Sequence, residues 1–375
     1  MPKSELLQIS PDQEGNNYLF DPTHSGFPNF GIKLKVVNGT VVASSPDIGY
    51  LHKGLEKLME YRTVIQNAVL TDRICMFDPY NWNLVHAEAV EQLSGIEVPE
   101  RGKYLRMAMA ELSRIQSHIL WFGVLSLSLG AESGFTTAMT YRDFLLNLFE
   151  VVSGGRVYPA GYICPGGVRW DLPVGGEAQV AIAIDQAEEF LQVIKPTIDQ
   201  VVAPKTTGLG ILLKDNAIKL GATGPVLRAS GIQADIRKDD PYELYNQVDF
   251  EVPVMQAGDA YARCMLRIQE IAESAKICRQ IVGKMTPGEV KNPTSLNYPV
   301  NLPPGEVYAR CETARGEGAI YMKSNGGWAP YRSKIRGPDL QHMLPVLGHL
   351  LDGAKLDNVA AIYWSLDICP TSVER

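Results

Sequence analysis

Residues 31–45 read GIKLKVVNGTVVASS, two β-rich runs on either side of Asn38-Gly39. That pair is the strongest short hairpin signal, because both turn positions tolerate positive φ. A small antiparallel sheet is therefore expected to open the chain. Ahead of it lies a polar loop rich in turn formers, Asp21-Pro22-Thr23-His24-Ser25-Gly26. The spacing then becomes helical. Pro46-Asp47 leads into IGYLHKGLEKLMEYRTVIQ, and Asp78-Pro79 leads into YNWNLVHAEAVEQL, both as Pro-initiated helices. From Pro99 to about Gly130, Tyr104, Leu105, Met109, Leu112, Ile115, Ile119 and Leu120 recur at helical spacing. A helix of that length predicts the centre of a bundle. Further helices are expected over 138–153, 176–197 and 258–283.

Between 204 and 257 the pattern breaks into pieces punctuated by Gly and Pro, such as GATGPVLRASG. From 306 onward, EVYARCETARGEGAIYMKSNGGWAPYRSKIRGP alternates and turns often, which predicts a β-rich segment. A last helix over 340–351 and an apolar run, VAAIYWSLDI, close the chain. The predicted class is α+β: a small N-terminal antiparallel sheet, a central helical bundle and a β-containing C-terminal part folded onto it. The corresponding domain division is 1–46, 47–203 and 204–375.

Composition narrows the partners. Hydrophobic residues make up 45% of the 375 and charged ones 21%, as in a globular protein with ample core. Net charge is −7 and no long basic run occurs, so nucleic-acid binding is not expected. The start, MPKSELLQISPDQ, lacks the apolar core of a signal peptide. Apolar stretches near 119–130 and 344–351 fall short of the ~20 residues a membrane span needs. A soluble chain is expected, whose link to any membrane runs through partners. None of the six cysteines is spaced C-x-x-C, so no zinc or iron–sulfur motif is present in this chain. Cys264, Cys278 and Cys311 read as small buried hydrophobes.

Eight segments, in order, carry a family resemblance: IGYLHKGLEK (48–57), ELSRIQSHILWFG (111–123), GPVLRASGI (224–232), DPYELY (240–245), DAYARCMLRIQEI (259–271), ARGEGAIYM (314–322), PYRSKIRGP (330–338) and SLDICPTSVER (365–375). Together they resemble the large-subunit family shared by complex I and nickel–iron hydrogenases, in its membrane-bound branch. In the hydrogenases of that family two C-x-x-C pairs hold the metals. The matching segments here are Arg73-Ile74-Cys75-Met76-Phe77-Asp78 and Asp367-Ile368-Cys369-Pro370-Thr371-Ser372. Each keeps its first cysteine and has lost the second, to Asp78 and Ser372. Soft thiolates are what hold such a centre, so the resemblance implies former ligand positions at Cys75, Asp78, Cys369 and Ser372 and no nickel–iron centre.

In complex I the same pocket binds a quinone, and the resemblance implies a tyrosine two positions before Asp78 and a histidine in the first hairpin's leading loop. Here those places hold Met76, which donates no hydrogen bond to a quinone carbonyl, and His24, shifted by about one residue. What remains is a pair of cysteines that the fold is expected to bring together. Nearby thiols suit attack on a sulfur–sulfur bond, with Arg73 and Arg336 as candidate cations favouring the thiolate. The pocket thus resembles that of the membrane-bound sulfane sulfur reductases, archaeal relatives that reduce polysulfide with ferredoxin.

The resemblance implies that the chain binds no cofactor by itself. Electrons would come from ferredoxin through an iron–sulfur cluster on an adjacent small subunit. Other peripheral-arm subunits and integral membrane subunits that move ions would complete the complex at the cytoplasmic face of the membrane. The candidate catalytic set is Cys75, Cys369, Asp78, His24 and Arg73. Asp78 reads equally as a helix N-cap and Ser372 as structural. His52 with Glu56, and Glu111 with Arg114 and His118, sit at helical spacings. They suit either a proton relay or polar contacts between helices. Asp72-Arg73 and Arg237–Asp240 read as loop ion pairs. Quinone-type reduction and a non-catalytic coupling role remain as alternatives.

Overall fold

A computed structural model describes residues 7–12, 15–20, 30–293 and 301–375. His24 lies outside them. The chain opens with strands β1 (Leu7–Asp12), β2 (Gly15–Phe20), β3 (Gly31–Val37) and β4 (Thr40–Asp47), an antiparallel sheet in sequence order. Asn38 and Gly39 join β3 to β4 at φ of +50° and +77°, the backbone that a two-residue hairpin loop requires. Ile32, Leu34 and Val36 alternate onto the buried face. The hairpin is stitched to the far end of the chain: Val41 N–H donates to the Ala354 carbonyl at 2.8 Å, and Gly353 N–H to the Val41 carbonyl at 2.9 Å.

The helical stretch expected over 48–66 is two helices, α1 (Leu55–Met59) and α2 (Val64–Thr71). Gly54 enters α1 in the left-handed conformation. Thr63 and Gln66 form a reciprocal capping box that starts α2 afresh. His52 therefore precedes α1 and does not share a helical face with Glu56. Its Nδ1 meets the Glu374 carbonyl at 2.6 Å, while Glu56 holds Arg332 and the Ile335 N–H.

Helices α3 (Pro79–Ser94), α4 (Glu100–Ser128), α5 (Glu132–Ser153) and α6 (Gly176–Val193) follow. With 29 residues, α4 spans about 44 Å at 1.5 Å per residue. It is buried almost throughout, because α5 packs on one side and the Ala260–Lys284 helix on another. Gly123 lets α5 approach closely: a Cβ there would sit 2.9 Å from that of Ala138. Beyond a two-residue ribbon of β5 (Ile163–Cys164) and β6 (Gly167–Val168), a second antiparallel sheet comprises β7 (Gly305–Thr313), β8 (Gly316–Ser324) and β9 (Arg332–Arg336). The expected α+β class is the one observed, a helical bundle flanked by two small sheets.

Among the described residues two large apolar clusters make up most of the core, beside two minor ones. The larger runs through the bundle and under the N-terminal sheet. The smaller lies between α1, α3 and the second sheet, and contains both Cys75 and Cys369.

Candidate active site

Cys75 sits in the link between α2 and α3, and Cys369 in the turn after the Val359–Leu366 helix. Thr371 ties the two segments together. Its hydroxyl donates to the Ile74 carbonyl at 3.1 Å and lies 3.2 Å from the Cys369 sulfur. The thiols stand within hydrogen-bonding reach of each other and are buried, at 1% and 0% exposure. All six cysteines are free thiols, and Cys164, Cys264, Cys278 and Cys311 are likewise buried.

The cation beside this pair is Arg315. It occupies the Ala314–Arg315 turn between β7 and β8, and that hairpin tip points into the core instead of solvent. The turn closes so tightly that a Cβ on Gly316 (φ +128°) would meet the Thr223 hydroxyl at 2.5 Å. Arg315 Nη1 donates to the Cys75 sulfur at 3.6 Å and to Ser117 at 3.0 Å. Its Nε and Nη2 donate to the Asp367 carbonyl at 2.9 Å and to Asp367 Oδ1 at 2.8 Å. Phe77, half-buried, lies over the guanidinium. A second carboxylate, Asp339, accepts the Cys369 N–H at 2.8 Å.

This setting splits the two thiols. Burial, reinforced by the Cys369 sulfur, pushes Cys75 well above the ordinary thiol range. Burial also opposes ionisation of Cys369, but the hydrogen bond from Cys75 and the Arg315 charge outweigh it, and its pKa falls below the ordinary value. Of the two, Cys369 is therefore the thiol that gives up its proton first, with Cys75 placed to donate a hydrogen bond to it. Burial raises Asp367 to about 6, against the pull of Arg315 and Arg267.

The other candidate residues sit elsewhere or are already engaged. Asp78 stands just before α3 but caps nothing there. Its carboxylate instead accepts from Asn81 and Ser113 and from the Ala314 N–H, each at 2.8 Å, pinning the Arg315 turn to α3 and α4. Arg73 is 38% exposed and pairs with Asp72 at 3.0 Å, with its guanidinium over Tyr158. Arg336 pairs with Glu317 at 2.8 Å. Among the described residues neither is hydrogen-bonded to a thiol, for each is engaged by a nearby carboxylate. Lys53 donates to the Arg73 carbonyl at 2.9 Å, and burial lowers its pKa. Ser372 is buried against Gly337.

Glu111 and His118 are interhelical fasteners. Glu111 accepts from Arg237, Arg114, Tyr245 and Ser274. Burial opposes its charge, but Arg114, Arg237 and the hydroxyls bring its pKa to about 2. Burial lowers His118 to about 4 despite its 3.0 Å contact with Glu270. Neither exchanges a proton near neutral pH. Asp72 and Arg73 do pair, but Arg237 pairs with buried Asp235 and Asp240 with Arg310, so the Arg237–Asp240 run is not a loop ion pair.

Residues 128–300 and 294–375 match the family model of the respiratory-chain NADH dehydrogenase 49 Kd subunit, and residues 53–128 that of nickel-dependent hydrogenase. The chain is 38% identical to an NADH-quinone oxidoreductase subunit of Thermosipho melanesiensis, over 95% of this chain and 98% of that one. It is 36% identical to an F(420)H(2) dehydrogenase subunit of Methanosarcina mazei, over 94% and 96%. Among solved structures it is similar to a chain of the membrane-bound sulfane sulfur reductase, an archaeal respiratory membrane complex. That match has a TM-score of 0.94 and 37% identity, and covers 98% of this chain and 100% of the other.

Proposed function

Because this chain belongs to the family of the respiratory-chain NADH dehydrogenase 49 Kd subunit, we propose that it is the active-site subunit of a membrane-bound, ion-pumping oxidoreductase complex that reduces sulfane sulfur at Cys75 and Cys369. The observation that carries this reading is the buried pair of neighbouring thiols beside Arg315, of which Cys369 is the more readily ionised. Cys369, as thiolate, attacks one sulfur of R–S–S–R′, forming Cys369–S–S–R and releasing R′–S⁻. Cys75 then attacks the Cys369 sulfur. A Cys75–Cys369 disulfide forms, R–S⁻ leaves, and the Cys75 proton goes to it. Two electrons and one proton restore the thiol and thiolate. The sum is R–S–S–R′ + 2e⁻ + H⁺ → R–SH + R′–S⁻.

One-electron carriers on neighbouring subunits would supply the electrons: ferredoxin as donor and an iron–sulfur cluster on a small subunit as the last station. Integral membrane subunits would use the free energy to move ions, with this chain at the cytoplasmic face. Among the described residues no helix is long and apolar enough to cross a membrane. The donor set also speaks against a nickel–iron centre. Only two thiols remain, and the carboxylate at the third position already accepts three hydrogen bonds.

The relative named for quinone reduction favours a second reading, a quinone-type acceptor in the same pocket. Met76 offers it no hydroxyl, and His24 would have to supply the contact.

A single-turnover trap tests the leading reading. The reduced complex is mixed with an organic trisulfide without further reductant, then alkylated and digested. A Cys75–Cys369 disulfide, or an adduct on Cys369, is expected by mass spectrometry. Two alkylated thiols would overturn it.

A further inference from the structure

A cleft of about 800 Å³ opens between the C-terminal half of α3, the 240–243 turn and β7. Its walls carry five carboxylates: Glu88, Glu91, Glu97, Asp240 and Glu243. Among the described residues Lys103 and Arg310 are its only cations, and Arg310 is taken by Asp240 at 3.0 Å. Below the cleft, buried Arg106 grips Glu91 and donates to Glu243 Oε1 at 2.8 Å.

Two acceptors remain unanswered. Glu88 is 8% exposed, and among the described residues no hydrogen bond or ion pair reaches its carboxylate. Glu243 has a side chain 3% exposed and an Oε2 without a partner among those residues. It is held there by a left-handed backbone (φ +48°), which costs a non-glycine residue about 1 kcal/mol or more. Burial first, and then the charges of Glu243 and Glu91, push the Glu88 carboxyl well above its usual range. A carboxylate this buried and unpaired is unfavourable until a cation meets it.

The carboxylates do not converge on a point: among the described residues no three His, Cys, Asp or Glu side chains stand close enough to share a metal ion. Their spread suits a cation on a long stem. Tyr242 and Tyr308 line the same cleft, and aromatic rings attract such a group. The chain's relatives are subunits of multi-subunit complexes. We propose that this cleft is the socket for a lysine or arginine side chain of a neighbouring subunit, with Glu88 as its main ion-pair partner. The proposal is independent of the sulfur chemistry, since it places no reacting group in the cleft.

Carbodiimide labelling with a small amine tests it on the intact complex and on the free full-length chain. Glu88 is expected to be labelled at least about tenfold less in the complex, or to appear as an isopeptide cross-link to a partner lysine. Equal labelling in the two, whether high or low, would overturn the socket. So would protection of the free chain by millimolar spermidine combined with open labelling in the complex, which would assign the cleft to a free polyamine. As a second arm, Glu88→Gln and Glu88→Lys complexes are challenged with rising salt. The chain is expected to dissociate at lower salt in the order Lys, Gln, wild type. An unchanged dissociation midpoint in both variants would show that the cleft holds no partner.

Discussion

Arg315 is shared between a thiol and a carboxylate, 3.6 Å from the Cys75 sulfur and 2.8 Å from Asp367 Oδ1. Its charge favours a thiolate in a site where burial disfavours one. Arg315→Gln should raise the apparent pKa for alkylation of the pair by roughly 1–3 units, the usual effect of removing an opposite charge at this range. The pH profile of iodoacetamide labelling in the intact complex checks this. A profile that does not move would reduce Arg315 to a structural tie for Asp367. In sequence Arg315 lies within the ARGEGAIYM segment, but it reads as a turn residue between two strands, and such residues are usually exposed. Nothing in the local pattern indicates that this hairpin tip is driven inward. Arg73 is the more legible candidate only because it lies two residues before Cys75 in sequence.

Among the elements, α4 is the most legible and owes its position to charge as well as to apolar packing. Glu111 ties it to the Ala260–Lys284 helix through Ser274 and to the 235–245 segment through Arg237 and Tyr245. Its folded pKa, about 2, lies below the ordinary 4.5. The ionised, clamped form thus adds stability above pH 4.5, roughly 3 kcal/mol by linkage, and loses it as pH falls towards 2. Glu111→Gln should cost about 3–5 kcal/mol at pH 7, because it leaves buried Arg237 and Arg114 short of a counter-charge. The gap to wild type should narrow below pH 4.5. Denaturant unfolding of both proteins across that range checks the sign, and a gap that widened on acidification would contradict it. The division of the 48–66 stretch into α1 and α2 is written in Thr63-x-x-Gln66, a capping signature inside an otherwise continuous helical pattern.

Over the whole molecule, the family segments are legible because they recur in order along the chain, which local propensity cannot produce. The meeting of Cys75 and Cys369 depends on the return of residues 367–374 beneath α1 and the second sheet. Periodicity alone does not show that return; the resemblance does. The cleft between α3, the 240–243 turn and β7 is illegible for the same reason, since its acidic residues come from distant stretches of the chain. The functional reading as a whole rests on the thiol pair turning over. The most direct measurement gives the intact complex reduced ferredoxin and an organic trisulfide, and follows the released thiol over time. A Cys75→Ser, Cys369→Ser complex runs beside it. Steady turnover is predicted in the wild type and a loss of at least about 100-fold in the variant, as for removal of an essential nucleophile. Equal turnover in the two, or none in the wild type, would contradict it.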